Sequence, residues 1–377
     1  MKFVHLGDLH IGKIIHEFSM LKDQEHGLNS ILDLLKEEEV DGLIIAGDLY
    51  DRSVPPSDAV EVLSRFLTNV LNMGVKIFTI AGNHDSSERL SFLQSILEKQ
   101  GLYIEGAYNG ELKGVSFEKN GEEVYVYMLP YCDPALVRKI HSDPSIKTHE
   151  DALKKILENV EIKQPSILVS HAYVSSVDTV VTDSERPLSI GNSEVVSPSI
   201  FEGFTYVALG HLHKSQRVKS DFIRYSGSLL KYSTSEVNNK KHITILNIEG
   251  GVPSVTFKDI DILRDLRIKR GYLKDIIDPI NYEGENLEDY VFFELLDEGD
   301  LIDPIGTLRG VYKNVLGLKK ISLGNEEIVT ELKSNYKEKT IGELFDDFYL
   351  SINGEYKEDR VELLQKYINE TIGEVVK

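Results

Sequence analysis

The sequence has one cysteine, Cys132, so no disulfide can form within the chain. That fits a reducing compartment. Long apolar runs are also missing: no stretch approaches the roughly 18 residues needed to cross a bilayer. The start, "MKFVHLGDLH", lacks the apolar core of a secretory signal. These absences lead to the expectation of a cytoplasmic protein without membrane contact. Positive charge is in short supply: 42 Lys and Arg stand against 62 Asp and Glu, a formal net charge of −20. A nucleic-acid binder usually shows a basic surface, so the balance argues against one unless bound divalent cations reverse the field locally. At 377 residues, there is length for two or three domains and a sizeable core.

The first half alternates short apolar runs with amphipathic stretches. "KFVHL" (2–6), "GLIIAG" (42–47) and "VKIFTI" (75–80) read as strands. Residues 24–38, a segment from "PPSDAV" to about 72, and 86–99 read as helices. From about 115, strands dominate: 123–130, 166–170, 205–210 and 242–248, with a helix near 149–160. The expected fold is α/β, a two-layered sheet core flanked by helices over 1–260. A small α+β domain is expected at 261–335 and a helix pair at 336–377, where Ile341, Leu344, Phe345 and Phe348 share one face and Val361, Leu364 and Ile368 another. Such a short pair needs a partner surface to bury its apolar faces.

Five short motifs stand where strands should end: "GDLH" (7–10), "GDLYD" (47–51), "GNHD" (82–85), "SHAY" (170–173) and "GHLH" (210–213). In open α/β sheets, ligands bind outside the carboxyl ends of strands. Asp, His and Asn without Cys suit Mn, Fe or Zn rather than a thiolate site. On extended backbone, Asp8 and His10 would point one way around Leu9, as would His211 and His213 around Leu212. Any one motif is weak, since a "GD" after a strand is usually a turn. The ordered set of five is specific. So many Asp, His and Asn side chains are too many for one ion and suit two ions sharing a carboxylate, about 3.5–4 Å apart. His5, His16, His26, His141, His149 and His242 are read as ordinary histidines.

The ordered motifs resemble the signature of calcineurin-like metallophosphoesterases. "GNHDSSERL", "LPYCDP", "YSGSLLKYSTSE", "LIDPIGTLRGVYKNVLGLK" and "IGELFDDFY" resemble nuclease subunits of the SbcD type within that superfamily, along nearly the whole chain. Ser226 departs from the pattern, where proline is expected. The resemblance implies that Asp8, His10 and His213 hold one metal, Asn83, His171 and His211 a second, and that Asp48 bridges both. It places His84 beside the scissile phosphate, where an imidazole suits general acid work. Asp85 either supports His84 or caps the following helix. Two divalent ions, Mn²⁺ ahead of Fe, Zn or Mg, would serve hydrolysis of DNA phosphodiesters. The implied partners are an SbcC-type coiled-coil ATPase, docked on 336–377 in a heterotetramer, and a second copy through helices at 57–72 and 86–99. Arg264, Arg267, Lys269 and Arg270 are candidate phosphate contacts, with a solvated strand face as the alternative. A phosphodiesterase of small nucleotides on the same fold is the alternative function.

Overall fold

The computed structural model describes residues 1–158, 160–176, 179–183 and 194–321. Two six-stranded sheets of mixed direction form its core. The first runs, edge to edge, Val252–Asp259, His242–Glu249, Lys2–Leu6, Gly42–Ile45, Lys76–Ile80 and Leu102–Glu105. Its last four strands are parallel and its first two antiparallel. The second runs Gln216–Val218, Ser220–Tyr225, Tyr206–Gly210, Ser166–His171, Glu122–Leu129 and Lys113–Lys119, with its four central strands parallel.

The strand sequences explain the layering. Central parallel strands are covered on both faces, so they are apolar almost throughout. Alternate residues then face opposite layers. Phe3, Ile44, Ala46, Phe78 and Ile80 of the first sheet meet Val126, Met128, Ile167, Val169 and Ala208 of the second. Their neighbours Val4, Leu43, Ile45 and Ile77 face the other way, against helices Leu21–Glu37 and Ser57–Asn72. Leu129, Leu168, Val207 and Leu209 form the outer layer of the second sheet with helices Pro134–His141 and His149–Leu157. The last of these opens on a capping box between Thr148 and Asp151.

One expected helix is broken. The 86–99 stretch divides into Ser87–Leu90, Gln94–Leu97 and a 3₁₀ turn Glu98–Gln100, with Leu93 in the left-handed region at φ 64°. The apolar period is present, but there is little surface to bury it: Phe92 is 71% exposed and Ile96 59%. Periodicity alone does not hold a short helix that buries so little.

A three-stranded sheet of Leu266–Gly271, Tyr290–Leu295 and Asn314–Lys320 follows. The chain divides into two compact units. Among the described residues, one comprises Met1–Ile268, Glu285–Phe292 and Arg309–Gly317; the other comprises Lys269–Gly284, Phe293–Leu308 and 318–321. Ile276, Phe293, Leu295 and Leu308 are buried in the second. The helices expected at 336–377 lie outside the described residues. Among those residues, no helix is long and apolar enough to cross a membrane.

Candidate metal centre

Three parallel neighbours of the first sheet end at Leu6, Ile45 and Ile80, and two of the second at Gly210 and His171. All five motifs leave from these ends. The route differs from the extended geometry expected of them. Asp8, His10 and Asp48 have φ of 51°, 46° and 50°, and His211 has 114°. Non-glycine residues there carry roughly 1–3 kcal/mol of strain each. The loops are zipped against that strain: Asp8 N–H donates to the Gly47 carbonyl (3.1 Å), and His10 N–H to that of Asp48 (2.9 Å). Two glycines serve close approach. A Cβ on Gly82 would lie 2.1 Å from Asp48 Oδ1, and one on Gly210 would lie 1.8 Å from the Ala46 carbonyl oxygen.

The expected ligands come together. Asp8, His10 and His213 present donor atoms within 4.8 Å of one another, as do Asp8, Asp48 and His171. The Nε2 atoms of His10 and His213 face each other at 3.1 Å. Asp48 Oδ2 lies 3.6 Å from His10 Nε2 and 3.5 Å from His171 Nε2, between the two groups. Asn83 Oδ1 is 2.9 Å from His171 Nε2 and 3.3 Å from His211 Nδ1. His211 N–H donates to both oxygens of Asp8 at 2.9 and 3.0 Å, tying the second sheet's loop to the first's. His84 groups with His10 and Asp48. Its Nδ1 donates to the Asp51 carbonyl at 2.9 Å, which leaves Nε2 uncommitted by that bond. Its backbone N–H donates to Asp48 Oδ1 at 2.9 Å.

The donor set fits divalent cations: carboxylates, an amide oxygen and imidazoles, all but Asn83 buried. Burial, with neighbouring imidazoles second, holds His10 and His211 well below the usual histidine range. Burial lowers His171 to about 4. Neutral imidazole is the form that binds metal. Burial pushes Asp48 up from the usual carboxylate range. Among the described residues, the buried His10 Nδ1 has no hydrogen-bond partner, and Asp51 Oδ1 lies 3.8 Å from it.

Several supporting residues escaped the motif reading. Asp85 neither caps a helix nor touches His84 by a hydrogen bond in this structure. Its carboxylate accepts from the backbone N–H of Gly82 (3.0 Å), Leu49 (3.1 Å) and Tyr50 (3.0 Å), clamping the loop that carries Asn83 to the loop that carries Asp48. Burial, then the charge of Asp48, raises it to about 6. Glu236 Oε1 lies 3.3 Å from His213 Nδ1, and Lys241 lies 2.5 Å from Glu236 Oε2. Gln24 Nε2 donates to the carbonyls of Leu9 and His10, and the Tyr232 hydroxyl donates to that of Leu9. Tyr232 and Glu236 stand inside "YSGSLLKYSTSE", so a signal was present without an assigned role. Of the candidate phosphate contacts, Arg264 makes a two-pronged ion pair with Asp23, Arg267 pairs with Glu285 and Asp289, and Lys269 donates to the Asn281 carbonyl.

Residues 1–215 match the calcineurin-like phosphoesterase family. Residues 262–352 match the SbcD C-terminal family, described as the type 5 capsule protein repressor C-terminal domain. Among solved structures, the chain is similar to a dimetal phosphatase from Danio rerio, with 10% identity over 69% of this chain and 96% of that one, at a TM-score of 0.42. It is also similar to a Thermus thermophilus protein, with 11% identity over 68% of this chain and 98% of that one, at a TM-score of 0.37. On the match over 1–215, the chain belongs to the calcineurin-like phosphoesterase family, and its later part is of the SbcD C-terminal type.

Proposed function

We propose that this chain is the nuclease subunit of an SbcC–SbcD-type assembly and hydrolyses DNA phosphodiesters with two divalent cations. The observation that carries the reading is Asp48, whose carboxylate stands between His10 and His171 with the His84 ring adjoining. Asp8, His10 and His213 would hold one cation, Asn83, His171 and His211 the other, and Asp48 both. Cations there, Mn²⁺ first among the candidates, would neutralise the phosphoryl oxygens and make water nucleophilic near neutral pH.

The chain's own residues supply the rest. His84 donates from Nδ1 to the Asp51 carbonyl, so its orientation is set without using Nε2. In the protonated ring, Nε2 can give its proton to the departing sugar oxygen. Asn83 would offer a neutral oxygen, which would leave a cation held there more electrophilic than a carboxylate would. Asp85 keeps Asn83 and Asp48 in register through the three backbone donors it accepts.

The division into 1–260, 261–335 and 336–377 separates three roles, namely chemistry, substrate positioning and docking on the ATPase. The family match over 262–352 supports the SbcC-type partner and, with it, DNA as substrate. That partner also accounts for a nuclease of net charge −20, since the chain then need not hold DNA alone. The ion pairs of Arg264 and Arg267 argue against those two as free phosphate contacts. The exposed Phe92, Leu93 and Ile96 support a homodimer through the 57–72 and 86–99 region.

The test compares free-ended DNA, end-blocked DNA and bis-p-nitrophenyl phosphate with Mn²⁺, with and without the ATPase and ATP. Cleavage of DNA that ATP and the partner enhance is the expected result. Turnover of the small ester without any DNA cleavage would instead establish a small-nucleotide phosphodiesterase.

A further inference from the structure

The imidazoles of the centre are held from behind by different groups. His171 Nδ1 lies 2.8 Å from the Ala46 carbonyl, and His84 Nδ1 lies 2.9 Å from that of Asp51. His213 Nδ1 instead faces a carboxylate, Glu236 Oε1, at 3.3 Å. Glu236 is fully buried. It also accepts from Lys241 Nζ at 2.5 Å and from Tyr232 N–H at 3.2 Å. Lys241 donates in turn to the His213 carbonyl at 2.8 Å and to Ser228 Oγ at 2.7 Å. One ammonium thus grips both the backbone of His213 and the carboxylate behind its ring.

The same turn reaches the other histidine of that group. The Tyr232 hydroxyl donates to the Leu9 carbonyl at 2.5 Å, and Gln24 Nε2 donates to the Tyr232 hydroxyl at 3.0 Å and to the His10 carbonyl at 2.8 Å. Folding stability alone does not explain such a pair, because a buried ion pair seldom outperforms apolar residues of similar volume. A carboxylate on the far nitrogen of a ligating histidine does two other things. It fixes the tautomer, placing the proton on Nδ1 and the lone pair on Nε2, and it makes that lone pair a better donor.

We propose that Glu236, clamped by Lys241, is a positioning residue for His213 that sets the affinity of the cation shared by Asp8, His10 and His213, and leaves the other cation largely unaffected. The inference rests on the two-cation reading above. Outer partners of this kind are worth about 10–100-fold in metal affinity.

The test uses the full chain, titrated with Mn²⁺ by calorimetry and with Co²⁺ by visible absorption. Two variants are compared with wild type. Glu236→Gln keeps an acceptor but removes the charge, and Glu236→Ala/Lys241→Met removes both partners, so no ammonium is stranded. The expected result is that one of two ions binds about 10–100-fold more weakly, with Glu236→Gln the milder. Half of the Co²⁺ absorption should persist, and the charge-balanced double variant separates the effect on His213 from instability, because Glu236→Gln buries the Lys241 ammonium without its counter-charge and should by itself lower the metal-free melting temperature. Unchanged affinity for both ions in both variants would overturn the inference alone. Equal weakening of both ions, together with a lowered metal-free melting temperature, would overturn it in favour of a purely structural role. A wild-type chain that binds no Mn²⁺ would overturn the two-cation reading and the inference with it.

Discussion

Replacing Asp85 with alanine removes a single acceptor that three backbone donors share. Gly82, Leu49 and Tyr50 each donate to its carboxylate at 3.0–3.1 Å. A hydrogen bond to a charged group contributes roughly 1.5–3 kcal/mol, and water can reach a half-buried site, so the low end applies to each bond. Three bonds give about 4.5 kcal/mol, or on the order of 10 °C in melting temperature. The loss also has a direction. Without the clamp, the Leu49–Tyr50 segment separates from Gly82, and Asp48 and Asn83 lose their mutual register. Asp85→Ala should therefore weaken divalent-cation binding at least tenfold. Asp85→Asn should fall between, because its amide oxygen can accept from at most two donors while its NH₂ group faces another donor. Thermal melts with and without Mn²⁺, beside calorimetric titration, measure both effects. A melting temperature within about 2 °C of wild type and unaltered cation affinity would refute the clamp.

Two other perturbations separate chemistry from scaffold. His84→Ala should retain cation binding and lose about 10²–10⁴ in cleavage rate; near-normal turnover at full metal content would remove the role assigned to it. His5 is buried between the sheets, where burial, then the Arg224 charge, lowers it from 6.5 to about 3. The unfolded chain takes up a proton between those values that the native state refuses, so stability is lost as pH falls through that window. The slope is about 1.4 kcal/mol per pH unit from this residue. His5→Gln should flatten the acid limb of stability against pH by about one proton, and an unchanged limb would contradict this.

The layers were legible in the sequence because burial on both faces leaves runs such as "GLIIAG", and because the ligand motifs interrupt those runs where strands end. Loop geometry was not legible. Nothing local requires Asp8, His10 and Asp48 to be left-handed; contacts between loops some 40 residues apart impose it. Spacing suggested that Asp8 and His10 point together by strand alternation, and they converge by another route. Nor does any local pattern show that the missing Cβ atoms of Gly82 and Gly210 make room for Asp48 and for the Ala46 carbonyl. Asp85 had two local readings and satisfies a tertiary one. Glu236 lies 23 residues from His213, beyond any local pattern. The 86–99 segment shows the reverse failure, a helical period without the surface to bury it.

The number of ions that depend on Asp48 decides whether the centre shares a carboxylate. Wild-type chain, stripped and reloaded with Mn²⁺, should bind two ions by elemental analysis after desalting. Asp48→Ala should retain fewer than one, since the carboxylate between His10 and His171 serves both positions. Two ions retained by the folded Asp48→Ala chain would contradict the shared-carboxylate centre.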